Sequence, residues 1–570
     1  MLAPMSPGCT DNGRDFESSA SRAKGPCVRP AILRAMKRNS PWLPPLLLFV
    51  AALSAVLVVP EVAGIDESVR VRVADALVTR AEVSIPFWVG HDDEYINVYY
   101  NRERNRHYGL WNLGQSLVLV PFVAAGNAAA SLGADATERD LWRGAFIAVG
   151  YSAFINILLA WVSFAVLRQM RLSRRSAALG VLCLLFFGQW LVWGHSLQEE
   201  SLCALLLMSA LWLGLKSRQG SWLACALGMG ACFGFLANVR FNGAFSALAL
   251  LLWLVLLPER SRALKSALAT VLAALPFALL WLWYNYARTG EVLASPYVLN
   301  LRLMRDELGV DTRWQPTLLR LSSFLFGYDN GALWFGLPLL LLPVLWRRGR
   351  AWLGTGALML VLALVAHTFM ICGFYAGTGV QGAGSPRYLA HQLMVLGPFW
   401  FVALRRAWGL ARRQTRFRLL APVVILLCSA SLVFQASARL LNPELEATQD
   451  VFYELSGEKP PLPYHHLPRR LKNLGLALTG GLTEFTYPAG FSTRDNEIPR
   501  NPAGETRHTM LALPPAYFSY LDRFSGPLSA RASALAWGGW WGGLGLCLAG
   551  AAWLGFRLRK ARPSQAARRG

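Results

Sequence analysis

Two acidic residues, Asp66 and Glu67, follow the first long apolar run of this 570-residue chain. A carboxylate within hydrogen-bond reach of a hydroxyl can take its proton as a new bond forms. Two arginines, Arg240 in ANVRFN and Arg387 in GSPRY, stand at the ends of later apolar runs, and Tyr388 follows the second. The planar guanidinium fork matches phosphate oxygens. Together these residue types fit the transfer of a group from a phosphate to a hydroxyl.

Each of these residues also has a simpler interpretation. Asp66 is well placed to cap the amino end of a helix that follows it. Arg240 and Arg387 can be interfacial arginines whose heads reach toward water. Tyr388 can be an interfacial anchor, as Tyr and Trp often are. From the residues alone, capping is the favoured interpretation of Asp66.

The elements that must position these residues are membrane helices. The chain is 54% hydrophobic and 16% charged, less charged than a soluble protein of this length. About 20 apolar residues cross the hydrocarbon core as a helix. The weakest run, 331–346, is short and contains Pro338 and Pro343. The predicted spans are 42–60, 142–167, 176–194, 197–216, 221–237, 241–257, 263–286, 331–346, 352–372, 388–404, 418–436 and 532–556.

Positive charge is concentrated in every second loop of this span pattern. The net charge is +23, which in a soluble protein would suggest a nucleic-acid partner. Basic loops on one side instead follow the positive-inside rule, so no nucleic acid is expected and both termini are predicted to be cytoplasmic. The basic clusters lie at 168–175, 216–218, 260–265, 347–350, 405–418 and 557–569.

Cysteine placement and the lack of glycosylation sequons bear on the compartment. The nine cysteines lie in the amino-terminal tail or in and at the edges of predicted spans, so no disulfide framework is expected. The chain has no Asn-x-Ser/Thr sequence. These features indicate the bacterial inner (plasma) membrane.

Two juxtamembrane helices are predicted in the first external loop, 61–141. Val69–Thr79 has apolar residues at helical spacing and a polar face with Arg70, Arg72 and Asp75. Leu113–Ala130 is apolar enough to span, but crossing would place the basic cluster at 168–175 outside. It is therefore predicted to lie in the interface, bent or broken at Pro121.

Several motifs in this order resemble a known family. They are IDESVRVRVADALVTRAEVSIP and RHYGLWNLGQSLVLVPFVAAG in the first loop, then ANVRFNGA, WYNYARTGEVLASPY and GSPRYLAHQLMVLGP. The pattern resembles the GT-C membrane glycosyltransferases, including protein O-mannosyltransferases, the lipid A aminoarabinose transferase and the group related to rhizobial lipopolysaccharide sugar transferases. It covers about residues 42–436. Where many members have Lys-Pro-Pro-Leu, this chain has LWNL at Leu110–Leu113.

The resemblance implies an all-α integral membrane protein, a GT-C-like bundle of about 12 transmembrane helices with juxtamembrane helices in the first external loop. With the spans and loop charges, the predicted domains are a disordered basic cytoplasmic tail (1–41), a GT-C-like transmembrane catalytic domain (42–436), an external segment (437–531), a last transmembrane helix (532–556) and a basic cytoplasmic tail (557–570).

The resemblance also implies an enzyme that transfers a sugar, with inversion, from a polyprenyl-phosphate-linked donor to an extracytoplasmic lipid, polysaccharide or protein. Asp66 is then the base, Glu67 either assists it or binds a metal, and Arg387, Arg240 and Tyr388 bind the donor phosphate. Membrane lipids are further partners. No metal-binding site is predicted and no cofactor is assigned, but a bound divalent cation is an alternative. The alternative functions are a polytopic transporter or lipid flippase, and a catalytically inactive scaffold.

Other polar clusters are given simpler interpretations. Asp92–Glu94 with His91 has oxygen and nitrogen ligands for a divalent cation, but a solvated acidic turn is favoured. Glu199 and Glu200, near His195, are close enough to the membrane to line a site, although a loop between two spans needs polar residues in any case.

Two further patterns are set aside. The 377–382 segment fits G-x-G-x-x-G, but it follows a span instead of a strand and is interpreted as an external loop. His465 and His466 lack further residues at metal-ligand spacing.

Overall fold

The structure is a computed structural model in which most of the chain from Pro41 onward is described. The described residues are 41–62, 65–86, 98–217, 221–256, 260–296, 299, 316–327, 331–346, 351–372, 387–441, 467–479, 484–487, 506–509, 511, 513–524 and 528–560. The predicted tails at 1–41 and 557–570 lie wholly or largely outside these ranges.

Eighteen α-helices and five short strands make up these residues. The helices are α1 Leu43–Leu57, α2 Ile65–Arg80, α3 Gly114–Ala130, α4 Ala136–Gly144, α5 Gly150–Gln169, α6 Arg174–Phe187, α7 Trp190–Trp193, α8 Glu200–Ser217, α9 Trp222–Val239, α10 Ala244–Leu256, α11 Arg260–Thr289, α12 Leu318–Phe326, α13 Ala351–Cys372, α14 Ala390–Arg413, α15 Leu420–Leu440, α16 Leu467–Leu478, α17 Pro514–Phe524 and α18 Ala530–Lys560. The strands are β1 Ser84–Ile85, β2 Val98–Asn101, β3 Arg106–Gly109, β4 Glu484–Tyr487 and β5 Thr506–Thr509.

Helical structure coincides with each of the twelve predicted spans, which confirms the helical membrane fold. The run with Pro338 and Pro343 is not an α-helix, since Trp334–Trp346 is a 3₁₀ helix with a kink at Gly336. Among the described residues, six helical stretches are apolar and long enough to cross a membrane, so the count of about twelve stays a prediction. These six are Ala136–Gln169, Glu200–Ser217, Trp222–Val239, Ala263–Thr289, Ala351–Cys372 and Leu420–Leu440.

The segment 61–141, which is predicted to be external, contains both predicted juxtamembrane helices, packed against each other as α2 and α3. Helix α2 begins at Ile65, so Asp66 lies in its first turn instead of before it. Acidic residues in the first turn and Arg80 in the last complement the helix dipole. Helix α3 runs through Pro121 without ending there.

Along the chain, the residues between these two helices form a small antiparallel sheet with the strand order β1-β3-β2. The sequence analysis does not predict it, because its strands have two to four residues and no strong alternation. Its last residue, Gly109, lies so close to α2 that a Cβ there would be 2.9 Å from the Val69 Cγ1 atom. Glycine therefore lets the sheet pack directly on the helix that carries Asp66.

Helix α3 is fixed in turn against the end of α9. A Cβ on Gly114 would lie 2.7 Å from the backbone carbonyl of Asn238, so only glycine allows this approach. The Asn112 side-chain amide donates to the Ala237 carbonyl at 3.2 Å. These contacts place the start of α3 next to the end of α9, which Arg240 directly follows.

Candidate functional site

Asp66 pairs with an arginine that is distant from it in the sequence. The Arg387 Nη2 atom lies 2.6 Å from the Asp66 Oδ2 atom. Arg387 begins the 3₁₀ turn that leads into α14, and α2 carries Asp66. The ion pair thus joins the first external segment to a late membrane helix.

Glu200, the first residue of α8, bridges two arginines. Its Oε1 atom lies 2.7 Å from Arg240 Nη1 and 3.2 Å from Arg387 Nε. The Glu200 side chain is completely buried. Carboxylate acceptors that are shared in this way hold both guanidinium groups in fixed positions.

Arg70 extends the network along α2. Its Nη2 atom pairs with Glu199 Oε2, and its Nη1 atom donates to Gln198 Oε1 at 3.4 Å. The same Gln198 oxygen accepts from Arg387 Nη2, and Glu199 Oε1 lies 3.5 Å from Arg240 Nε. Three arginines and three carboxylates therefore form one continuous cluster.

Aromatic rings cover two of these cations. The guanidinium of Arg240 lies over the Tyr388 ring, 5.0 Å from its centroid, and that of Arg70 lies over Trp111 at 5.2 Å. Cation–π contacts of this kind strengthen when water is excluded. Tyr388 thus contacts one predicted phosphate-binding arginine and directly follows the other.

The backbone at Trp111 is held by another arginine, Arg288, at the end of α11. The Arg288 Nη1 atom donates to the carbonyls of Gly109, Leu110 and Trp111 at 2.9, 3.2 and 2.9 Å. Its Nη2 atom donates to Asn285 Oδ1 at 2.8 Å. Arg288 is fully buried, so this clamp sets the position of Trp111 and, through it, of Arg70.

Exposure varies across the cluster. The side chains of Asp66 and Arg387 are 15% and 17% exposed, whereas those of Arg240 and Glu200 are 8% and 0% exposed. The Asp66–Arg387 pair is therefore the part that a ligand reaches first, and the others form its buried support.

Glu67 lies beside this pair and is 7% exposed. Burial raises the pKa of its carboxyl to about 8, although the charges of Arg387 and Arg70 oppose the shift. A neutral Glu67 leaves three guanidinium groups balanced by Asp66, Glu199 and Glu200. Ionising Glu67 adds an unbalanced negative charge, which is costly in a buried site.

The structure brings together all five residues predicted from the sequence: Asp66, Glu67, Arg240, Arg387 and Tyr388. It also corrects three interpretations. Arg70 is buried in the cluster and not on a solvated face, Glu199 and Glu200 are not ordinary loop residues, and Asp66 lies within α2 instead of capping it.

One signal could have found Arg70. It follows Glu67 by three residues and Asp66 by four, a spacing that places all three side chains on one helix face. Nothing in the local sequence indicates that Gln198, Glu199 and Glu200 meet this face, because that contact is made by tertiary packing.

Within the described ranges, no three His, Cys, Asp or Glu side chains are arranged to hold a metal ion. Several predicted features lie outside those ranges and are not placed by the structure. They are His91, Asp92–Glu94, the glycine-rich segment 377–382, and His465 with His466.

No protein-family model matches the sequence, and no curated protein matches it. Among solved structures, the chain is similar to ArnT from Cupriavidus metallidurans in the apo state, with 15% identity, 78% of this chain and 84% of ArnT covered, and a TM-score of 0.42. The same protein bound to undecaprenyl phosphate gives 16% identity, coverage of 75% and 83%, and a TM-score of 0.42.

A second similar structure is the archaeal oligosaccharyltransferase AglB from Archaeoglobus fulgidus, in complex with an inhibitory peptide and a dolichol-phosphate. Identity is 12%, coverage is 81% of this chain and 61% of AglB, and the TM-score is 0.44. ArnT and AglB are GT-C glycosyltransferases, the class that the motifs of this chain resemble. The likeness is remote, so the function proposed below is drawn from the site itself.

Proposed function

We propose that this chain is an integral-membrane glycosyltransferase. It transfers a sugar from a polyprenyl-phosphate-linked donor to a hydroxyl of an extracytoplasmic lipid, polysaccharide or protein. The observation that carries this proposal is the partly exposed Asp66–Arg387 pair, supported by a buried network of further arginines and carboxylates. Such a pair offers a proton acceptor and a phosphate-binding cation side by side.

Donor binding begins at Arg387. Its guanidinium already shares its donors among Asp66, Glu200 and Gln198. A donor phosphate competes with the Asp66 carboxylate for the Arg387 Nη2 atom, since both are anionic oxygen acceptors. Displacement from Arg387 frees Asp66 to accept a proton and leaves Arg387 on the phosphate, with Arg240 behind it.

The transfer step exchanges one bond of the sugar anomeric carbon for another. The acceptor oxygen forms a bond to the sugar anomeric carbon while the bond from that carbon to the phosphate oxygen breaks. The acceptor proton passes to Asp66, and the bond electrons leave with the polyprenyl phosphate. Arg387 and Arg240 stabilise the charge that develops on the leaving phosphate.

The orientation follows from charge. The basic loops lie on the side opposite to the loops that carry Asp66 and Glu199. The site therefore faces the outside of the bacterial inner membrane, and both termini are cytoplasmic.

The decisive variant is Asp66→Asn in the purified full chain. The donor is first identified by mass spectrometry of lipid that co-purifies with the protein, and release of polyprenyl phosphate is then measured. Loss of the base should lower the rate by roughly 10²-fold or more. Asp75→Asn is the matched control, because Asp75 lies on the same helix but pairs with Asn127 and Arg143.

Full activity of Asp66→Asn would refute the assignment of the base. Movement of an intact lipid across the membrane without release of polyprenyl phosphate would instead support a flippase.

A further inference from the structure

Arg439 lies at the end of α15 that is predicted to face outside, and among the described residues it has almost no partners. Its Nη2 atom donates to the Leu57 carbonyl, at the end of α1. Its Nε atom is buried and has no hydrogen-bond partner. No carboxylate in the part of the chain that the structure describes forms an ion pair with it. A largely enclosed cation in this state carries an uncompensated charge.

Arg288 provides the internal comparison. It too lies at the outer end of a span and pairs with no carboxylate among the described residues. Its donors, however, meet three backbone carbonyls and Asn285, and its plane stacks on Tyr284 at 3.9 Å. A guanidinium has five N–H donors. Arg288 uses them within the fold, whereas most donors of Arg439 meet no acceptor in the part of the chain that the structure describes.

The described neighbours of Arg439 do not neutralise its charge. Gln435, one turn earlier on α15, donates to the Phe335 carbonyl at 2.9 Å, and its Oε1 atom is buried without a partner. Burial, and then the charge of Arg439, lower the pKa of His195 to about 3, so that imidazole is neutral. The Nε2 atom of His195 also lacks a hydrogen-bond partner.

Membrane topology does not explain this arginine either. The positive-inside rule accounts for arginines in cytoplasmic loops, and Arg439 lies at the opposite end of its span. Beside it, the Trp540 Nε1 atom donates to the Val56 carbonyl at 3.2 Å, so α1, α15 and α18 come together here. A tryptophan with this type of contact is typical of the headgroup depth of a bilayer.

We propose that Arg439 binds the phosphate of a lipid in the outer leaflet. Phosphate oxygens match the open guanidinium fork, and lipid phosphates lie at this depth. The ligand is a lipid-linked phosphate, supplied either by an ordinary phospholipid or by a polyprenyl phosphate. The proposal does not depend on glycosyl transfer, because Arg439 takes no part in the cluster around Asp66.

Native mass spectrometry of the full chain tests this directly. The probes are phosphatidylglycerol, undecaprenyl phosphate and, as a phosphate-free lipid, diacylglycerol. The proteins are wild type, Arg439→Gln, Arg439→Lys and the control Arg531→Gln, which removes an exposed arginine near the start of α18. Loss of one charged hydrogen-bonding group should weaken binding of a phosphate lipid roughly tenfold in Arg439→Gln. Arg439→Lys should retain part of it, and Arg531→Gln should bind as wild type does.

The pattern among probes identifies the source. Weakened phosphatidylglycerol binding alone indicates a phospholipid site, and weakened undecaprenyl phosphate binding alone indicates a site for the carrier lipid. Unchanged binding of both probes in Arg439→Gln, or an equal loss of diacylglycerol, overturns the proposal.

A second measurement covers the case in which Arg439→Gln does not fold. Wild-type protein is photolabelled with phosphatidylglycerol or undecaprenyl phosphate that carries a photoreactive group next to the phosphate. Labelled peptides should include the end of α15, the end of α1 or the Trp540 region. Labelling that never reaches these three segments overturns the proposal without any variant.

Discussion

Two kinds of arginine contact hold the segment 61–141 in place, and they differ in their partners. Arg70, Arg240 and Arg387 pair with carboxylates, whereas the partners of Arg288 among the described residues are backbone carbonyls, an amide oxygen and an aromatic ring. Carbonyl acceptors belong to the backbone and cannot be exchanged for a ligand. Carboxylate partners are side chains that a phosphate can displace. The difference separates an anchoring contact from a contact that is suited to chemistry.

The largest loss of stability is expected from Glu200→Gln. It leaves Arg240 and Arg387 without their shared buried counter-charge. Removing one member of a buried ion pair costs about 3–5 kcal/mol, because the remaining charge stays desolvated. Thermal unfolding of the full chain in detergent measures this loss.

Glu82→Gln is the control for that variant. Glu82 pairs with Arg106 at 3.0 Å, but both side chains are well exposed. An exposed pair contributes less than about 1 kcal/mol, so the two variants should differ clearly. Equal destabilisation would show that the buried cluster behaves like a surface ion pair.

A smaller effect is expected from Arg288→Lys. An ammonium keeps the charge, but its three donors cannot reproduce the planar contacts to Gly109, Trp111 and Asn285 or the stacking on Tyr284. We expect a loss of about 2 kcal/mol in stability, from weakened charged hydrogen bonds. Arg104→Lys, an exposed neighbour that donates to the Ala287 carbonyl, should have little effect.

If Arg288 only anchors the segment, its variant should unfold more easily while the folded fraction keeps the transfer rate per molecule. A large fall in rate at full folding would place Arg288 among the residues that position the reacting groups.

The smallest expected effect is a change in how the transfer rate depends on pH when Glu67 is replaced. Its pKa is raised to about 8, so it is protonated below that value and ionises as the pH rises through it. The folded state favours the proton, so its contribution to stability is full below the unfolded pKa near 4.5 and is lost as the pH rises to about 8. The added negative charge also opposes binding of a donor phosphate next to Arg387.

We therefore expect transfer to weaken above about pH 8 in the wild type, and Glu67→Gln to remove this inflection. Initial rates between about pH 6 and pH 9.5, with matched buffers, measure it. An identical inflection in Glu67→Gln would assign the titration to another group.

Much of the fold could be predicted from the sequence. Apolar runs predicted where helices form, because this signal is local and additive along the chain. Which helix ends share a side of the membrane stays a prediction from the loop charges. The helices α2 and α3 were also predictable, α2 from apolar residues at helical spacing and α3 from its long apolar run. The small sheet was not, because its strands are stabilised by packing against Val69 and by the Arg288 clamp.

The sequence by itself determined the residue types of the site: an acidic pair after the first span, and arginines at the ends of two later spans. Only the tertiary structure decided which charges meet. Asp66, Glu200, Arg240 and Arg387 come from four separate segments, and no local pattern encodes their distances. Because the cluster is largely buried, the charges of its arginines are balanced by carboxylates, among them Glu199 and Glu200. Burial also raises the pKa of Glu67 to about 8, which favours its protonated form.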